Sequence, residues 1–596
     1  MQINYKNKRL ENVLFSINAL TAIIVAVSFV MLFGFEEPLL PAAVLYTAQV
    51  VFLFIFIVEK IIRFFNAPFK AEFWRVHWYE IPLLIALGIT LLGAGRWFGK
   101  AEPAQVRHFA VGIYLVLQVV TKLCRTSVNM AASGRNPTKT LILSFLVLIV
   151  SGAVLLMLPR ASAVESLSPV DALFTATSAT CVTGLIVKDT GKDFTLMGKL
   201  VILSLIQLGG LGIVVFGAVF ALLLGQALSL RESVAMQDLL SARTLSRIGN
   251  MIAFIFVGTI FIEAVGAVST FNMWDNVPGR VTNIHEQWFC SIFHSISAFC
   301  NAGFSLFSDS FTSYNRSGSV YLVICPLIIL GGLGFGVLYD LTNIVADRVK
   351  RFFKKLFSKH YRFSMEAPRR MQLQTKIVLS VSACLIVLGM LAILLFERYA
   401  GGSDFPENHN PGLLGALFQS ITARTAGFNT VKISAMSPSA RFILILLMFI
   451  GGSPGSTAGG IKTVTLAVVI MTAIAALRKR QEVEMFRRSV RVVVVGRAIT
   501  VTLLFAAVLF GATLALSITE NASDFTMSQI MFEAGSALGT VGLTTGITPS
   551  LTTAGKLIII AVMLIGRLGP LTLLAALTFN LKPARYNYPE EAVIVG

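Results

Sequence analysis

Charged residues are scarce in this chain of 596 residues. Asp, Glu, Lys and Arg make up only 13% of it, whereas hydrophobic residues make up 55%. Soluble globular domains carry about 25% charged residues, so the composition excludes an ordinary soluble protein. The mean hydropathy of +0.78 indicates a polytopic membrane protein instead.

Cysteine and histidine are also rare, with six of each in the chain. The cysteines lie in or beside apolar segments without any C-x-x-C spacing, which argues against a disulfide framework or a zinc site. The histidines form no H-E-x-x-H pattern. A membrane enzyme would need convergent catalytic side chains at membrane depth, so we expect no enzyme and no cofactor in this chain.

Long apolar runs are abundant, and each is about the length needed to cross roughly 30 Å of hydrocarbon. Twelve such runs lie near 14–33, 42–58, 79–94, 108–123, 138–158, 197–225, 250–272, 319–345, 374–396, 440–476, 498–518 and 555–580. The even number predicts that both termini lie on the same side of the membrane.

The net charge of +19 is concentrated in a few loops. The basic residues in these loops are Arg231, Arg243 and Arg247, then Arg348, Lys350, Arg351, Lys354, Lys355, Lys359, Arg362, Arg369 and Arg370, and then Arg478, Lys479, Arg480, Arg487, Arg488 and Arg491. The positive-inside rule places them in the cytoplasm. We therefore predict a multi-pass membrane protein with both termini cytoplasmic, a first helix kept as an anchor, and no nucleic acid partner.

One short pattern occurs four times. It reads FTATSATCVTGL from Phe174, FHSISAFCNAGF from Phe293, FQSITARTAGF from Phe418 and FEAGSALGTVGL from Phe532. Each copy has a Ser or Thr followed by Ala, and then a glycine followed by Leu or Phe. These glycines are Gly184, Gly303, Gly427 and Gly542. A repeat of little more than one hundred residues is therefore predicted.

A second landmark follows each glycine in the same order. It reads LGGLG from Leu208, LGGLG from Leu330, IGGSPG from Ile450 and IGRLG from Ile565. Each unit thus has an apolar span, a segment too short and polar to cross, the glycine, and a second span. Irregular backbone at membrane depth is tolerated only when it is buried in protein or lines a water-filled cavity.

We predict an all-α polytopic membrane protein with four helix–re-entrant pore loop–helix repeats around a pseudo-fourfold pore. Glycine permits positive φ, which lets carbonyl groups turn toward the axis and replace the hydration shell of a cation. The alternative is that the four copies are merely small-residue turns or helix contacts, which would not require the whole loop to recur.

The four loops, together with GGSPGSTAGGIKT in the third unit, resemble the Trk/Ktr/HKT superfamily of cation transporters and its bacterial KtrB/TrkH branch. The resemblance covers about residues 137–585. It implies a selectivity filter built by the four loops, a homodimer, and gating by a cytosolic nucleotide-binding ring subunit similar to KtrA or TrkA. Membrane lipid is the other expected partner, and the resemblance implies a bacterial cell (inner) membrane.

The resemblance also assigns the filter. The expected ion-binding groups are backbone carbonyls, those of Val182, Thr183, Gly184, Asn301, Ala302, Gly303, Thr425, Ala426, Gly427, Thr540, Val541 and Gly542. In related plant proteins, serine at the first filter glycine accompanies sodium preference. Glycine at position 184 therefore favours K+ as the transported ion, bound at the filter only, with Na+ as an activator or co-ion.

A polar break interrupts the apolar run at 440–476. It consists of Gly451, Gly452, Ser453, Pro454, Gly455, Ser456, Thr457, Ala458, Gly459 and Gly460. Glycine costs about 1 kcal/mol and proline about 3 kcal/mol in a helix interior, so the helix is predicted to break here. We interpret the segment as a loop under the filter that obstructs conduction, against the alternative of a passive kink. Although it nearly spells a phosphate-binding loop, Ile461 is inserted and no strand precedes it.

Four other positions are candidates for function. Arg567 replaces a landmark glycine near the bilayer centre, where a cation costs at least about 2.5 to 3.5 kcal/mol. We expect it to face the pore, hold the 451–460 segment through its carbonyls, and oppose cations below the filter. Glu533 and His294 occupy equivalent positions, where Glu533 either satisfies loop N–H groups or attracts cations. Glu263 is either a coupling site or a buried acid bonded to a neighbouring helix.

The sequence thus predicts two regions. Residues 1–130 form an accessory region of four extra N-terminal transmembrane helices, for which voltage sensing is an alternative role. Residues 131–596 form the pore domain, with repeats at 137–235, 250–345, 374–480 and 496–580. The predicted function is potassium uptake driven by the membrane potential and gated by the intramembrane segment and a cytosolic partner. A Na+- or H+-coupled symporter is the nearer alternative, and a non-transporting membrane enzyme the distant one.

Overall fold

The computed structural model describes residues 7–70, 73, 84–85, 87–90, 107–108, 110–116, 118, 137–164, 167–212, 248–277, 279–357, 369–400 and 412–577. Most of these residues are helical, and two strands of three residues each are the β structure within these ranges. The all-α polytopic fold predicted from the composition is confirmed.

The chain begins with a helical hairpin of α1 (Lys8–Phe33) and α2 (Ala42–Asn66). Asn7 caps α1 by accepting from the N–H of Arg9 at 3.0 Å, and the Asn66 side chain accepts from the Asn7 N–H at 3.0 Å. The predicted spans at 79–94 and 108–123 lie largely outside the described residues. The hairpin is tied to the next part of the chain because the Arg160 N–H donates to the Gly34 carbonyl at 3.1 Å.

The same order of elements then occurs four times, beginning each time with a long helix. The long helices are α3 (Pro137–Leu156), α6 (Ile248–Thr270), α10 (Leu373–Ala400) and α14 (Val492–Thr519). Each is followed by a short helix, namely α4 (Pro169–Thr180), α7 (Ile284–Phe299), α11 (Leu413–Thr422) or α15 (Met527–Gly539). A third helix completes each unit: α5 (Leu196–Leu211), α8 (Cys325–Leu333, extending a π-helical turn at Val320–Ile324), α12 (Pro438–Phe449) and α16 (Thr553–Leu568).

The short helices enter the protein without crossing it. They contain 10 to 16 residues, which at 1.5 Å per residue gives about 15 to 24 Å, less than the roughly 30 Å of a bilayer core. Local signals start two of them. The Ser168 hydroxyl caps α4 ahead of Pro169, and Thr526 with Gln529 forms a capping box on α15. All four end at the glycine loops that the repeat predicted.

The phenylalanine that opens each copy of the repeated pattern anchors its short helix. Phe174, Phe293, Phe418 and Phe532 are all completely buried. Burial of one such side chain contributes about 1.5 to 3 kcal/mol. The sequence repeat therefore corresponds to four equivalent packing positions around the loops.

Glycines end three of the third helices. Gly212, Gly334 and Gly569 have φ of 81°, 89° and 83°, a conformation that stops an α-helix. After Gly334 the chain continues as α9 (Phe335–Phe357), bent by 105° from the preceding helix. After Gly569 it continues as α17 (Pro570–Leu577). The prediction of single uninterrupted spans at 319–345 and 555–580 is therefore wrong, because a left-handed glycine lies inside each.

The break predicted in the third unit is present. Helix α12 ends at Phe449, and α13 (Thr463–Leu477) begins beyond the glycine-rich segment. A hairpin of β1 (Val483–Met485) and β2 (Arg488–Val490) follows in the basic loop, where the sequence predicted no strands. Among the described residues, five helices are long and apolar enough to cross a membrane, and the bent pair α8–α9 makes a sixth. The chain is a multi-pass membrane protein.

An ion pair joins the first unit to the fourth. The Lys556 ammonium on α16 lies 2.7 Å from an Asp171 carboxylate oxygen at the start of α4, and both side chains are largely buried. Removing one partner of such a pair leaves an uncompensated charge with little access to water.

We expect Lys556→Met to lower the free energy of unfolding by about 1 to 3 kcal/mol, because the Asp171 charge loses its partner. The double variant Asp171→Asn, Lys556→Met is expected to be no less stable than the single one. Thermal unfolding of the detergent-solubilised protein measures both. If the two substitutions destabilise additively, the pair does not couple the first and fourth units.

Candidate functional site

The four glycine loops have the same unusual backbone conformation. The residue two positions before each glycine has positive φ although it is not glycine, with 58° at Val182, 58° at Asn301, 92° at Thr425 and 50° at Thr540. The glycines follow the same rule, with φ of 90°, 69°, 82° and 91° at Gly184, Gly303, Gly427 and Gly542. The left-handed region costs an L-residue about 1 to 2 kcal/mol. Strain at four equivalent positions is a feature of functional sites.

The four loops contact one another in a closed ring. A Cβ added at Gly184 would lie 2.5 Å from the Ala302 carbonyl oxygen, and one at Gly303 would lie 2.7 Å from the Ala426 carbonyl oxygen. Added Cβ atoms at Gly427 and Gly542 would clash with the Val541 and Thr183 carbonyl oxygens in the same way. Each loop thus meets the next, and the fourth meets the first. Any side chain larger than hydrogen at the four glycines would enter this ring.

A hydroxyl residue at the end of each short helix holds each loop. The carbonyls of Ser178, Ser297, Thr422 and Ser536 accept from the N–H groups of Thr183, Ala302, Ala426 and Val541 at 2.7 to 2.8 Å. In the first and fourth loops the hydroxyl also accepts from the glycine N–H at 3.1 Å. In the second and third it donates to the Phe304 and Phe428 carbonyls at 2.8 and 2.7 Å. The loop N–H groups are thereby turned toward protein.

These hydroxyl residues were visible in the sequence as the Ser or Thr before Ala, but their bonding role was not predicted. Their spacing was the available signal. Ser178, Ser297 and Ser536 each lie six residues before the glycine, whereas Thr422 lies five before Gly427. The shorter third loop compensates because the Thr422 carbonyl also accepts from the Gly427 N–H at 3.4 Å.

Glu533 and His294 brace the chain after the glycine in two of the loops. A Glu533 carboxylate oxygen accepts from the Thr545 N–H at 3.0 Å, and its other oxygen accepts from the Thr548 hydroxyl at 2.9 Å. The Leu306 N–H lies 3.3 Å from His294 Nε2, and His294 Nδ1 lies 2.8 Å from the Cys290 carbonyl oxygen. Glu533 was expected either to satisfy loop N–H groups or to attract cations. This geometry matches the first alternative.

The expected filter residues all lie in the four loops that form this ring, and all are buried except Gly303, which is half-buried. Their side chains are apolar or uncharged, and among the described residues no cluster of His, Cys, Asp or Glu could hold a metal ion. The ring itself presents the backbone carbonyl oxygens of Thr183, Ala302, Ala426 and Val541.

The 451–460 segment folds back beneath the ring. The Ser453 N–H donates to the Gly332 carbonyl at 3.0 Å, and the Phe335 N–H donates to the Gly455 carbonyl at 2.9 Å. At its other end a Cβ on Gly459 would clash with the Thr540 hydroxyl of the fourth loop. The segment thus contacts the second unit on one side and the fourth loop on the other.

Arg567 connects this segment to the first unit. Its guanidinium donates to the Thr457 carbonyl through Nη1, and through Nη2 to the Gly209 carbonyl at 2.6 Å. The Thr457 hydroxyl in turn donates to the Gly331 carbonyl at 3.2 Å. The guanidinium therefore links the segment to the first unit directly, and the Thr457 hydroxyl links the segment to the second unit. That Arg567 holds the segment in place and opposes cation passage stays a prediction.

Lys462 is a second cation in this position that the sequence analysis did not select. Its ammonium donates to the Ala458 carbonyl at 2.7 Å and lies 3.4 Å from the Gly459 carbonyl oxygen. The bonds run back four and three residues along the chain, so Lys462 satisfies two carbonyls of the glycine-rich segment itself.

Glu263 lies behind the second loop rather than in the ring. Gln207 donates to its carboxylate at 3.2 Å, and the Cys300 thiol lies 3.9 Å from its other oxygen. This contact is the bond to a neighbouring helix that the sequence analysis weighed against a coupling role. Nothing in the arrangement favours coupling to Na+ or H+.

Comparison with known proteins places this geometry in a family. The TrkH family, described as a cation transport protein, matches residues 104–586. That match covers most of the chain, including all four glycine loops. The chain belongs to the TrkH family. The expectation of a transport protein rather than an enzyme is confirmed.

Two relatives show how much of the chain the TrkH-family likeness covers. Ktr system potassium uptake protein B of Bacillus subtilis is 40% identical over 471 residues, which cover 77% of this chain and 97% of that protein. Ktr system potassium uptake protein B of Vibrio alginolyticus is 39% identical, and the match covers 78% of this chain and 96% of that protein. The recognised resemblance to the KtrB/TrkH branch is confirmed.

A third relative has a different name. Potassium/sodium uptake protein NtpJ of Enterococcus hirae is 35% identical over 77% of this chain. Among solved structures, the potassium transporter TrkH of Vibrio parahaemolyticus matches with a TM-score of 0.56 and 19% identity, covering 85% of this chain and 98% of that one. This structural likeness supports the fold. Residues 1–103 lie outside the matched TrkH-family region, and the predicted boundary at residue 130 stays a prediction.

We expect Ser178→Ala and Ser536→Ala each to lower the free energy of unfolding by about 1 to 3 kcal/mol, because a buried glycine N–H loses its acceptor. Ser204→Ala is the matched control, since the Ser204 hydroxyl is exposed and bonds only to its own helix at Leu200. Thermal unfolding measures the difference. Equal stability of all three variants would contradict a role for these hydroxyls in holding the loops.

Proposed function

We propose that this chain takes up potassium through a selectivity filter of backbone carbonyls formed by the four glycine loops. The observation that carries the proposal is the ring in which four glycines alternate with the carbonyl oxygens of Thr183, Ala302, Ala426 and Val541. The names of the relatives agree, since the two Ktr proteins are potassium uptake proteins.

The carbonyls replace water around the ion. A K+ ion that enters a buried site must exchange its hydration shell for other oxygen ligands, and a ring of carbonyls supplies them without the tight binding of a carboxylate. The filter groups are the carbonyls of Val182, Thr183, Gly184, Asn301, Ala302, Gly303, Thr425, Ala426, Gly427, Thr540, Val541 and Gly542. Ser178, Ser297, Thr422 and Ser536 hold their N–H groups away from the cation.

The short helices add electrostatic support. All four end at the glycine loops, and the C-terminal end of a helix carries about half a negative charge. Four such ends directed at one ring lower the energy of a cation in the filter. The same arrangement disfavours anions.

The 451–460 segment is the gate in this proposal. It contacts Thr540 from below and is held by Arg567 through the Thr457 carbonyl. Conduction requires the segment to leave this position, which breaks the bonds to Gly332, Phe335 and Arg567. The positive charge of Arg567 opposes a cation that enters while the gate is closed.

The membrane potential drives uptake. A potential of 100 mV is worth about 2.3 kcal/mol for one charge, and about 1.4 kcal/mol corresponds to a tenfold ratio, so accumulation reaches roughly fiftyfold. The proposal needs no ATP and no coupling ion, and Na+ acts at most as an activator or co-ion.

The assembly is also proposed. The chain forms a homodimer in a bacterial cell membrane, with both termini in the cytoplasm and residues 1–130 as an accessory region. A cytosolic nucleotide-binding ring subunit opens the gate, docking on the basic loops. Of these loops, the structure describes residues 348–357, 369–370 and 478–491, whereas Arg231, Arg243 and Arg247 lie outside the described residues.

The first test is cation flux into liposomes with an imposed inside-negative potential. We expect uptake of K+ and Rb+ to exceed uptake of Na+, and Gly184→Ser to reduce that preference about tenfold or more, because the new side chain meets the Ala302 carbonyl in the ring. Gly212→Ser is the control, since Gly212 has positive φ but open space around its Cβ position. Absence of cation flux, even after deletion of residues 453–459, would refute the proposed pore.

The second test concerns the gate. Arg567→Ala is expected to raise K+ flux about tenfold, because the 451–460 segment loses its anchor and the barrier loses its charge. Arg567→Lys separates the two effects. An ammonium keeps the charge but cannot bridge the Thr457 and Gly209 carbonyls as a guanidinium does. If Arg567 acts by anchoring the segment, Arg567→Lys should therefore raise K+ flux. If it acts only through its charge, the flux should stay unchanged. Unchanged flux and unchanged regulation in both variants would contradict the proposed role of Arg567 in the gate.

A further inference from the structure

Helix α9 has an apolar face that no other part of the described structure covers. Val345, Val349, Phe352 and Leu356 recur at the spacing of one helix face, and 46% to 63% of each residue is exposed. Phe353 beside them is 51% exposed. Soluble surfaces rarely leave so continuous an apolar stripe in water.

Basic residues flank this face. Residues 345–357 contain five Lys or Arg and one acidic residue, Asp347. Arg351 is paired with Asp347 at 2.9 Å, whereas Arg348, beside the stripe, and Lys350, farther round the helix beyond Phe353, are both exposed. The charge next to the apolar face is therefore positive.

The opposite side of α9 is attached to the protein. Asp340 accepts from the Gln372 N–H at 3.1 Å and from the Thr375 hydroxyl at 2.7 Å, and Asp347 accepts from the Arg369 N–H at 3.3 Å. The two acidic residues of the helix are thus used to hold it to the start of α10. The apolar stripe faces away from these contacts.

The bend at Gly334 sets the orientation. Helix Val320–Leu333 has 14 residues and would cover about 21 Å of the roughly 30 Å hydrocarbon core, so the bend lies at the depth of the cytoplasmic leaflet. Because α9 turns by 105° from that helix, it runs roughly along the membrane plane. A helix with an apolar stripe beside basic residues, lying in that plane, is the pattern of an interfacial helix.

We propose that α9 lies in the cytoplasmic leaflet and binds anionic phospholipid headgroups through Arg348 and Lys350, with Val345, Val349, Phe352 and Leu356 among the acyl chains. Juxtamembrane basic residues gain about 1 kcal/mol each at an anionic surface. The proposal rests on the proposed function for its membrane orientation and for its consequence on flux.

The start of α9 is bonded directly to the proposed gate. The Phe335 N–H donates to the Gly455 carbonyl at 2.9 Å, and a Cβ on Gly334 would lie 2.7 Å from the Pro454 carbonyl oxygen. The bent helix and the segment beneath the filter therefore belong to one arrangement. A ligand that binds this arrangement preferentially stabilises it, so anionic lipid is expected to favour the closed gate.

The binding test uses the full-length protein with Phe352→Trp in liposomes whose acyl chains carry bromine, a quencher of tryptophan fluorescence. We expect the added fluorescence to be quenched, and more strongly by brominated phosphatidylglycerol than by brominated phosphatidylcholine. When Arg348→Gln and Lys350→Gln are added to the Phe352→Trp protein, its apparent affinity for phosphatidylglycerol should fall about thirtyfold. Absence of quenching would overturn the proposal, because residue 352 would then not contact acyl chains. A second copy of the chain that covers the face would give this result.

The functional test measures K+ flux in phosphatidylcholine liposomes as phosphatidylglycerol is added. Flux should fall with the anionic lipid, and the Arg348→Gln, Lys350→Gln variant should lose this response. Arg316→Gln with Lys432→Gln, at two exposed positions outside the basic loops, is the charge-matched control that should keep it. If K+ flux does not change with the phosphatidylglycerol content, the lipid inference is overturned but the proposed function is not. If the chain with residues 453–459 deleted carries no K+ in any lipid, the proposed function itself fails.

Discussion

The structure depends on one requirement, that irregular backbone at membrane depth must find its hydrogen bonds inside the protein. Lipid offers none, and an unsatisfied buried N–H or C=O group costs several kcal/mol. The four glycine loops meet this requirement through Ser178, Ser297, Thr422 and Ser536, whose carbonyls accept from the loop N–H groups. Because the N–H side of each loop is bonded to protein, the carbonyl side is left for the ring.

The closed ring explains why the loops tolerate strain. Val182 and Thr540 are β-branched, and such residues are rarely found at positive φ. The conformational strain energy at each of these residues must be offset by the contacts among all four loops. The completely buried phenylalanines at the start of the repeats, and the Lys556–Asp171 pair between the first and fourth units, hold the short helices where the loops meet. The ring is therefore a property of the whole assembly of repeats.

Departures from fourfold symmetry lie beneath the ring. In the first, second and fourth units, a landmark glycine lets the third helix pack against a carbonyl at the end of its own short helix. In the third unit, the equivalent Gly451 meets Gly459 of its own folded-back segment. The fourth unit adds Arg567, which bonds to that segment and to the first unit. A nearly symmetric ring thus lies above an asymmetric support.

The amino-acid sequence by itself determined the class and the plan of the protein. Scarce charge and long apolar runs require a membrane, and two landmarks repeated four times require four equivalent units. Composition and periodicity are local, so they can be read without coordinates. The same locality explains what was missed. The bend at Gly334, for example, depends on contacts with Pro454 and Gly455, which are far away in the chain. Only the tertiary structure decided that Ala302 meets Gly184, that Arg567 reaches Thr457, and that α9 turns away from its span, because these contacts join separate repeats.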